Sequence, residues 1–94
     1  MYYPMSEWRL KGFEPSRTAG KKYDAVITKK GDPATIRRVP FGAVGYQQYH
    51  DKNGKYKKDD HGDPARRANY QSRHRHELRE GSYSPGYFAW HYLW

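Results

Sequence analysis

The sequence predicts an α+β fold: a small antiparallel β-sheet of two hairpins, packed with one basic α-helix and a short aromatic C-terminal helix, behind an extended N-terminal arm. Three stretches of the 94-residue chain predict it. YDAVIT and TIRRVPF read as β-type runs separated by turn residues. DPARRANYQSRHRHELRE has the start and the length of a helix. SPGYFAWHYLW repeats the helix-start signal and then turns almost wholly aromatic.

Residues 1–22 hold two prolines, two glycines and scattered rings (Tyr2, Tyr3, Trp8, Phe13) with no sustained period. They are read as an extended arm, outside a single small domain at residues 23–94. Rings along an irregular segment suggest that it lies against a surface, because a free linker is normally depleted in Trp and Phe. The plainer reading is a disordered terminus with incidental aromatics. From Tyr23 to Thr28 and from Thr35 to Phe41 the β-type runs form the first expected hairpin, with Lys29, Lys30 and Arg37 on its outer face. Pro40 cannot donate to a ladder, so it ends the second strand or places it at an edge. Two close glycines, Gly42 and Gly45, fit a tight turn where chain passes near chain. They lack the spacing and the Gly-Lys-Ser/Thr ending of a phosphate loop. The second expected hairpin, residues 46–60, centres on Asn53-Gly54 and returns through a lysine-rich strand.

Asp63 suits an N-cap and Pro64 the first helical position, so a helix is expected from Pro64 to about Glu80, with Gly81 as the residue past its end. Its cations fall on most sides. What is left is a thin stripe of Tyr70, His74 and Leu78 to touch the rest of the fold. Ser84 and Pro85 begin the aromatic helix, and a segment this rich in rings is expected to be buried, either in its own domain or in a partner.

Composition narrows the function. Sixteen aromatics stand against eight large aliphatics, and the mean hydropathy is -1.29, so any core is built mostly from rings and complete ordering could depend on an assembly. A net charge of +8 asks for an acidic partner. All lysines lie in the first 58 residues, whereas the helix uses arginine, whose planar fork suits phosphate and carboxylate. Arginine is also simply a good residue for an exposed helix face. The absence of cysteine removes disulfides, thiolate metal sites and thiol nucleophiles. No apolar run approaches the roughly 20 residues that cross a bilayer, and MYYPMSEWRL is too polar for a signal peptide. A soluble protein of a virion or host-cell interior is expected, neither transmembrane nor secreted by such a peptide.

Catalytic readings find little to stand on. His74 and His76 are two apart on a helix and point to different sides, HExxH is absent, and no metal or other cofactor is expected. Asp51 to Gly54 imitates the start of a calcium loop, but its glycine is misplaced and no glutamate closes the loop. A nuclease reading could recruit His50, Asp59, Asp60 and His61, at a spacing that matches no motif. No serine has a GxSxG setting. No enzyme is expected. The remaining signal is cations interleaved with rings. Arg37, Arg38, Lys52, Lys55, Lys57, Lys58, Arg66, Arg67, Arg73, Arg75 and Arg79 form a candidate surface for nucleic acid or another acidic partner. Trp8, Phe13, Tyr87, Phe88, Trp90 and Trp94 form candidate docking anchors.

In FGAVGYQQY, DPARRANYQSRH and GSYSPGYFAWHYLW the chain resembles a family of short, basic, uncharacterised proteins found mainly in large double-stranded DNA viruses. The residues that carry the likeness are Phe41-Gly42 with Gly45-Tyr46, then Asp63, Arg66 or Arg67, Tyr70, Arg73 and His74, then Leu93-Trp94. It spans roughly residues 22 to 94. Lys52 to Gly62 reads as an insertion, and the arm has no counterpart. The resemblance brings no activity with it. It implies a viral source and a structural role in a particle, as a minor capsid or cementing component whose aromatic termini dock on neighbouring subunits. The alternative is a nucleic-acid-binding module, for DNA or RNA, without sequence specificity.

Overall fold

Strand β3 (Lys21–Lys29) is the centre of the molecule. In this computed structural model, which describes residues 3–76 and 82–94, it lies between β2 (Trp8–Pro15) and β4 (Asp32–Ala43) in an antiparallel sheet of order β2-β3-β4. Having a neighbour on both sides buries β3 on both faces, from Lys22 to Ile27.

The β3–β4 hairpin forms as expected. Gly31 turns it at φ 82°, and regular pairing runs from Thr28 opposite Ile36 to Lys21 opposite Ala43. Pro40 sits inside β4 on the open edge of the sheet, where its missing N–H breaks no ladder bond.

The segment read as an arm is extended, but from Trp8 to Pro15 it is a strand of the sheet. Trp8 is buried, and Leu10 pairs with Ile27 and Phe13 with Ala25. Opposed residues in an antiparallel pair point to the same face. Leu10 and Phe13 therefore both look into the core although they are three apart, because the register shifts between Leu10 and Gly12 and leaves Lys11 as an extra residue.

The second hairpin does not form. Residues 46–60 instead make a loop that contains a single 3-10 turn (Lys57–Asp59) and one parallel bridge, Gln48 to Asp60. Side chains take the hydrogen bonds that a ladder would have used. The Asp51 carboxylate accepts from the Asn53 N–H (2.9 Å), the Tyr56 N–H (2.8 Å) and the Tyr23 hydroxyl (2.5 Å). Asp60 accepts from the Asp51 N–H (2.8 Å) and the Gln48 amide (2.6 Å).

Helix α1 covers Pro64–His74, with Asp63 accepting from the Ala65 N–H at 2.9 Å as the expected cap. Arg75 and His76 follow in a tighter turn. The continuation expected to Glu80, together with Leu78 and Gly81, lies outside the described residues. Helix α2 covers Pro85–Tyr92, with Ser84 accepting from the Tyr87 N–H at 3.1 Å. A two-residue ribbon pairs β1 (Tyr3–Pro4) with β5 (Ser82–Tyr83).

The core joins Trp8, Tyr23, Ala25, Ile27, Val39 and Phe41 of the sheet to Phe88 and Leu93 of the C-terminal segment. Phe88 meets Phe41 at 5.5 Å and Tyr83 at 5.4 Å between ring centroids. The opposite face of the sheet mixes polar residues with Val26 and Ile36. There Arg38 bonds Asp24 (2.8 Å) and Glu14 (2.9 Å), tying all three strands together. The fold is thus α+β, with a three-stranded sheet, a two-stranded ribbon and two α-helices among the described residues.

Candidate functional site

Helix α1 buries none of its residues. Tyr70 attaches it to the fold: its ring lies parallel to Trp94 at 4.3 Å and 4°, and stacks on His74 at 4.3 Å. The inward stripe of Tyr70 and His74 is therefore where the spacing places it. Arg67 adds a second attachment, donating to the Trp94 carbonyl at 2.8 Å and lying over the Tyr49 ring at 4.8 Å. Arg66 donates to the Gln47 side chain at 2.9 Å. Arg73 and Arg75 are exposed. Among the described residues none of these four arginines is paired with a carboxylate, since the ion pairs run between Lys22 and Asp59, Arg38 and Asp24 or Glu14, and His50 and Asp60. Of the four, Arg73 and Arg75 are the exposed pair with no partner side chain among the described residues, while Arg66 and Arg67 are partly engaged by Gln47, Trp94 and Tyr49.

Other members of the expected basic surface divide. Lys52, Lys55, Lys57 and Lys58 are exposed on the loop beside α1's start, and Lys55 lies over the Tyr56 ring at 5.7 Å. Arg37 is exposed on β4, its guanidinium turned to the Ile36 carbonyl at 2.8 Å, but it stands opposite Ile27 and so on the core-side face of the sheet, not on the outer face expected of it. Arg38 does not belong to a free surface, because both its partners are carboxylates. Burial alone raises the Asp24 carboxyl, but the Ser16 hydroxyl and the Arg38 guanidinium outweigh it and hold the group below the usual carboxylate range. Arg79 lies outside the described residues.

The expected aromatic anchors are mostly spent inside the chain. Trp8 and Phe88 belong to the core, while Phe13 packs on Phe41, Phe88 and Tyr92. Tyr87, Trp90 and Trp94 are half-buried, with Tyr87 against Phe88 and Trp94 against Tyr70. The reason is the shortage of aliphatic side chains: rings are what this chain has to build a core from.

Lys22 is not among the expected site residues, yet it holds the loop from within the fold. It is 1% exposed, and its ammonium donates to the Gln48 side chain and to the Tyr46 carbonyl (2.6 Å), with Asp59 at 3.5 Å. Three partners match its three donors, so it anchors the loop and offers nothing outward. Asp60 closes the same network. Burial raises its carboxyl, but the Gln48 amide, the Asp51 N–H and His50 outweigh that and hold it below the usual range. His50, Asp59 and Asp60 are thus occupied in holding the loop. His61 takes the Asp63 N–H on Nδ1 at 2.9 Å, and burial, helped by Arg66, keeps its ring below the ordinary imidazole range. Among the described residues, no group of three or more His, Asp or Glu is placed to hold a metal ion.

Between the end of β4, α1 and the start of α2 lies a cleft of about 560 Å3. Lys21, Arg66, Arg73 and His74 edge it, Gly42 and Leu93 form its floor, and Tyr46, a residue 71% exposed, lines it as well. Among the described residues no carboxylate lines it. Gly42 is required at the floor: its φ is 78°, and a Cβ there would stand 2.9 Å from Leu93 Cδ1 and 3.3 Å from Lys22 Cβ.

No family model, curated protein or solved structure matches the chain. Among the described residues, no helix is long and apolar enough to cross a membrane.

Proposed function

We propose that this chain is a non-enzymatic nucleic-acid-binding protein that engages phosphate through α1 without reading sequence. The observation that carries this reading is the row of exposed arginines on α1, none of them neutralised by a carboxylate among the described residues. Unpaired, forked cations on a helix are the donors that phosphate oxygens accept from, and the loop lysines extend the same field. No base-reading motif accompanies them, so affinity comes from the backbone of the ligand.

The test is binding of the purified protein to labelled DNA across a salt series, beside an acidic protein as control. The logarithm of affinity should fall linearly with the logarithm of salt, at about 0.7–0.9 per phosphate contact. Arg73→Gln with Arg75→Gln should flatten that slope by about two such steps without disturbing the fold, as neither side chain bonds another element among the described residues. Salt-independent binding, or none at low salt, rejects the reading.

A second reading, a viral particle component packed against neighbouring subunits, draws on Ile36, Val44 and Tyr46, large apolar side chains exposed along and just beyond the open edge strand β4. A cooperatively folded monomer that is absent from purified particles would remove it.

A further inference from the structure

The geometry points to the cleft beside α1 as a subsite for one unpaired nucleotide of a single strand, its phosphate held by Lys21, Arg66 and Arg73 and its base stacked on Tyr46. This deepens the nucleic-acid reading and rests on it. Three features of the cleft carry it.

The first is charge. Cations come to the rim from two directions, Lys21 from the start of β3 and Arg66 and Arg73 from one side of α1, about two turns apart, with no Asp or Glu among the described lining residues. Arg66 spends one donor on Gln47, leaving the rest of its fork available. Lys22, also at this wall, is saturated by its own three partners and contributes shape alone.

The second is the ring. Tyr70 and Trp94 cover one another, and Tyr70 is covered again by His74, so none of that stack is free on both faces. Tyr46 is different. It is 71% exposed, while its carbonyl, fixed by the Lys22 ammonium at 2.6 Å, holds the backbone that presents it. An exposed tyrosine on a pinned backbone has only its own two side-chain torsions left to order when a base stacks on it. A base in a duplex has both faces taken by its neighbours, so only an unpaired base can use such a platform.

The third is size. At about 560 Å3 the cleft falls in the range of sites that hold a small ligand, roughly 300–1,000 Å3. It suits one nucleotide of a strand that continues along the arginines of α1.

The experiment compares anisotropy titrations of a labelled oligothymidylate and of the same strand annealed to its complement, for the intact protein and three variants. The single strand should bind the intact protein about tenfold tighter than the duplex, as one base stack is worth roughly that. Tyr46→Ala should lower single-strand affinity about tenfold and leave duplex affinity unchanged, and Tyr46→Trp should restore the preference. Lys29→Gln with Lys30→Gln, at the far end of the β3–β4 hairpin, should leave the preference intact. Thermal melts of each variant check that the exposed position carries no fold. Equal affinity for both forms, with Tyr46→Ala silent, overturns the subsite and leaves the phosphate-binding reading standing. Failure of the intact protein to bind either form overturns both, as does binding confined to the acidic protein control.

Discussion

At the residue scale, Gly42 shows how closely this small core is fitted. Two separate demands meet there: a backbone in the left-handed region and no room for a side chain. Gly20 makes the first demand without the second, since its φ is 83° and nothing lies within 4 Å of where a Cβ would be. The two positions therefore separate strain from crowding. Gly20→Ala should cost about 1 kcal/mol, the left-handed penalty alone. Gly42→Ala should cost that and a further ~1–3 kcal/mol for pushing against Leu93 and Lys22. Urea unfolding of both variants measures the difference. Equal losses would mean that Leu93 and the Lys22 stem yield freely, and that the cleft floor is softer than its geometry implies.

At the element scale, α1 is attached rather than embedded. It has a good cap and no buried residue, and eleven helical residues are marginal in water unaided. Its place depends on the Tyr70 ring against Trp94 and on Arg67 reaching the Trp94 carbonyl. Trp94→Ala should therefore loosen α1 and spare the sheet. Amide exchange over residues 65–74 should quicken by about tenfold, the equivalent of one lost aromatic pair, while β3 and β4 stay protected. Uniform loss of protection across both would instead make α1 part of the cooperative core. Both helix starts and the inward stripe of α1 are legible in the sequence, because capping and the 3.6-residue period are local signals. The β3–β4 hairpin is legible for the same reason. The second hairpin misleads because Asn53-Gly54 is a true local turn signal, while Asp51, Asp60 and Gln48 draw the flanking backbone into side-chain hydrogen bonds. The exposure of the α1 arginines follows from the same period, whereas the pairing of Arg38 with Asp24 and Glu14 depends on strand register that no local signal gives. The cleft could not, since it exists only where the ends of β3 and β4 meet two helices from the other half of the chain.

At the scale of the whole molecule, the largest difference between sequence and structure is the status of residues 8–15. The extra residue Lys11 breaks the alternation, so Trp8, Leu10 and Phe13 look like scattered rings and aliphatics when they in fact line one face of β2. An arm and an edge strand differ in what their loss does. Removing an arm leaves the core whole. Removing residues 1–15 here takes Trp8 out of the core and Leu10 and Phe13 off its flank, and turns β3 into an edge with Ala25 and Ile27 uncovered. Deleting one large buried ring costs about 3–5 kcal/mol, against a total of about 5–15 kcal/mol for an ordinary domain. Losing Trp8 and the half-buried Phe13 together removes up to about 6–10 kcal/mol on that scale, comparable to the total itself, and the β2 ladder goes with them. The truncated chain should therefore show no cooperative thermal transition by near-ultraviolet circular dichroism, and its nucleic-acid binding should persist only as the weak attraction of an unfolded cationic chain. A truncated protein that melts sharply, within a few degrees of the full chain, would return these residues to the role of an arm and place the whole of the stability in β3, β4 and α2.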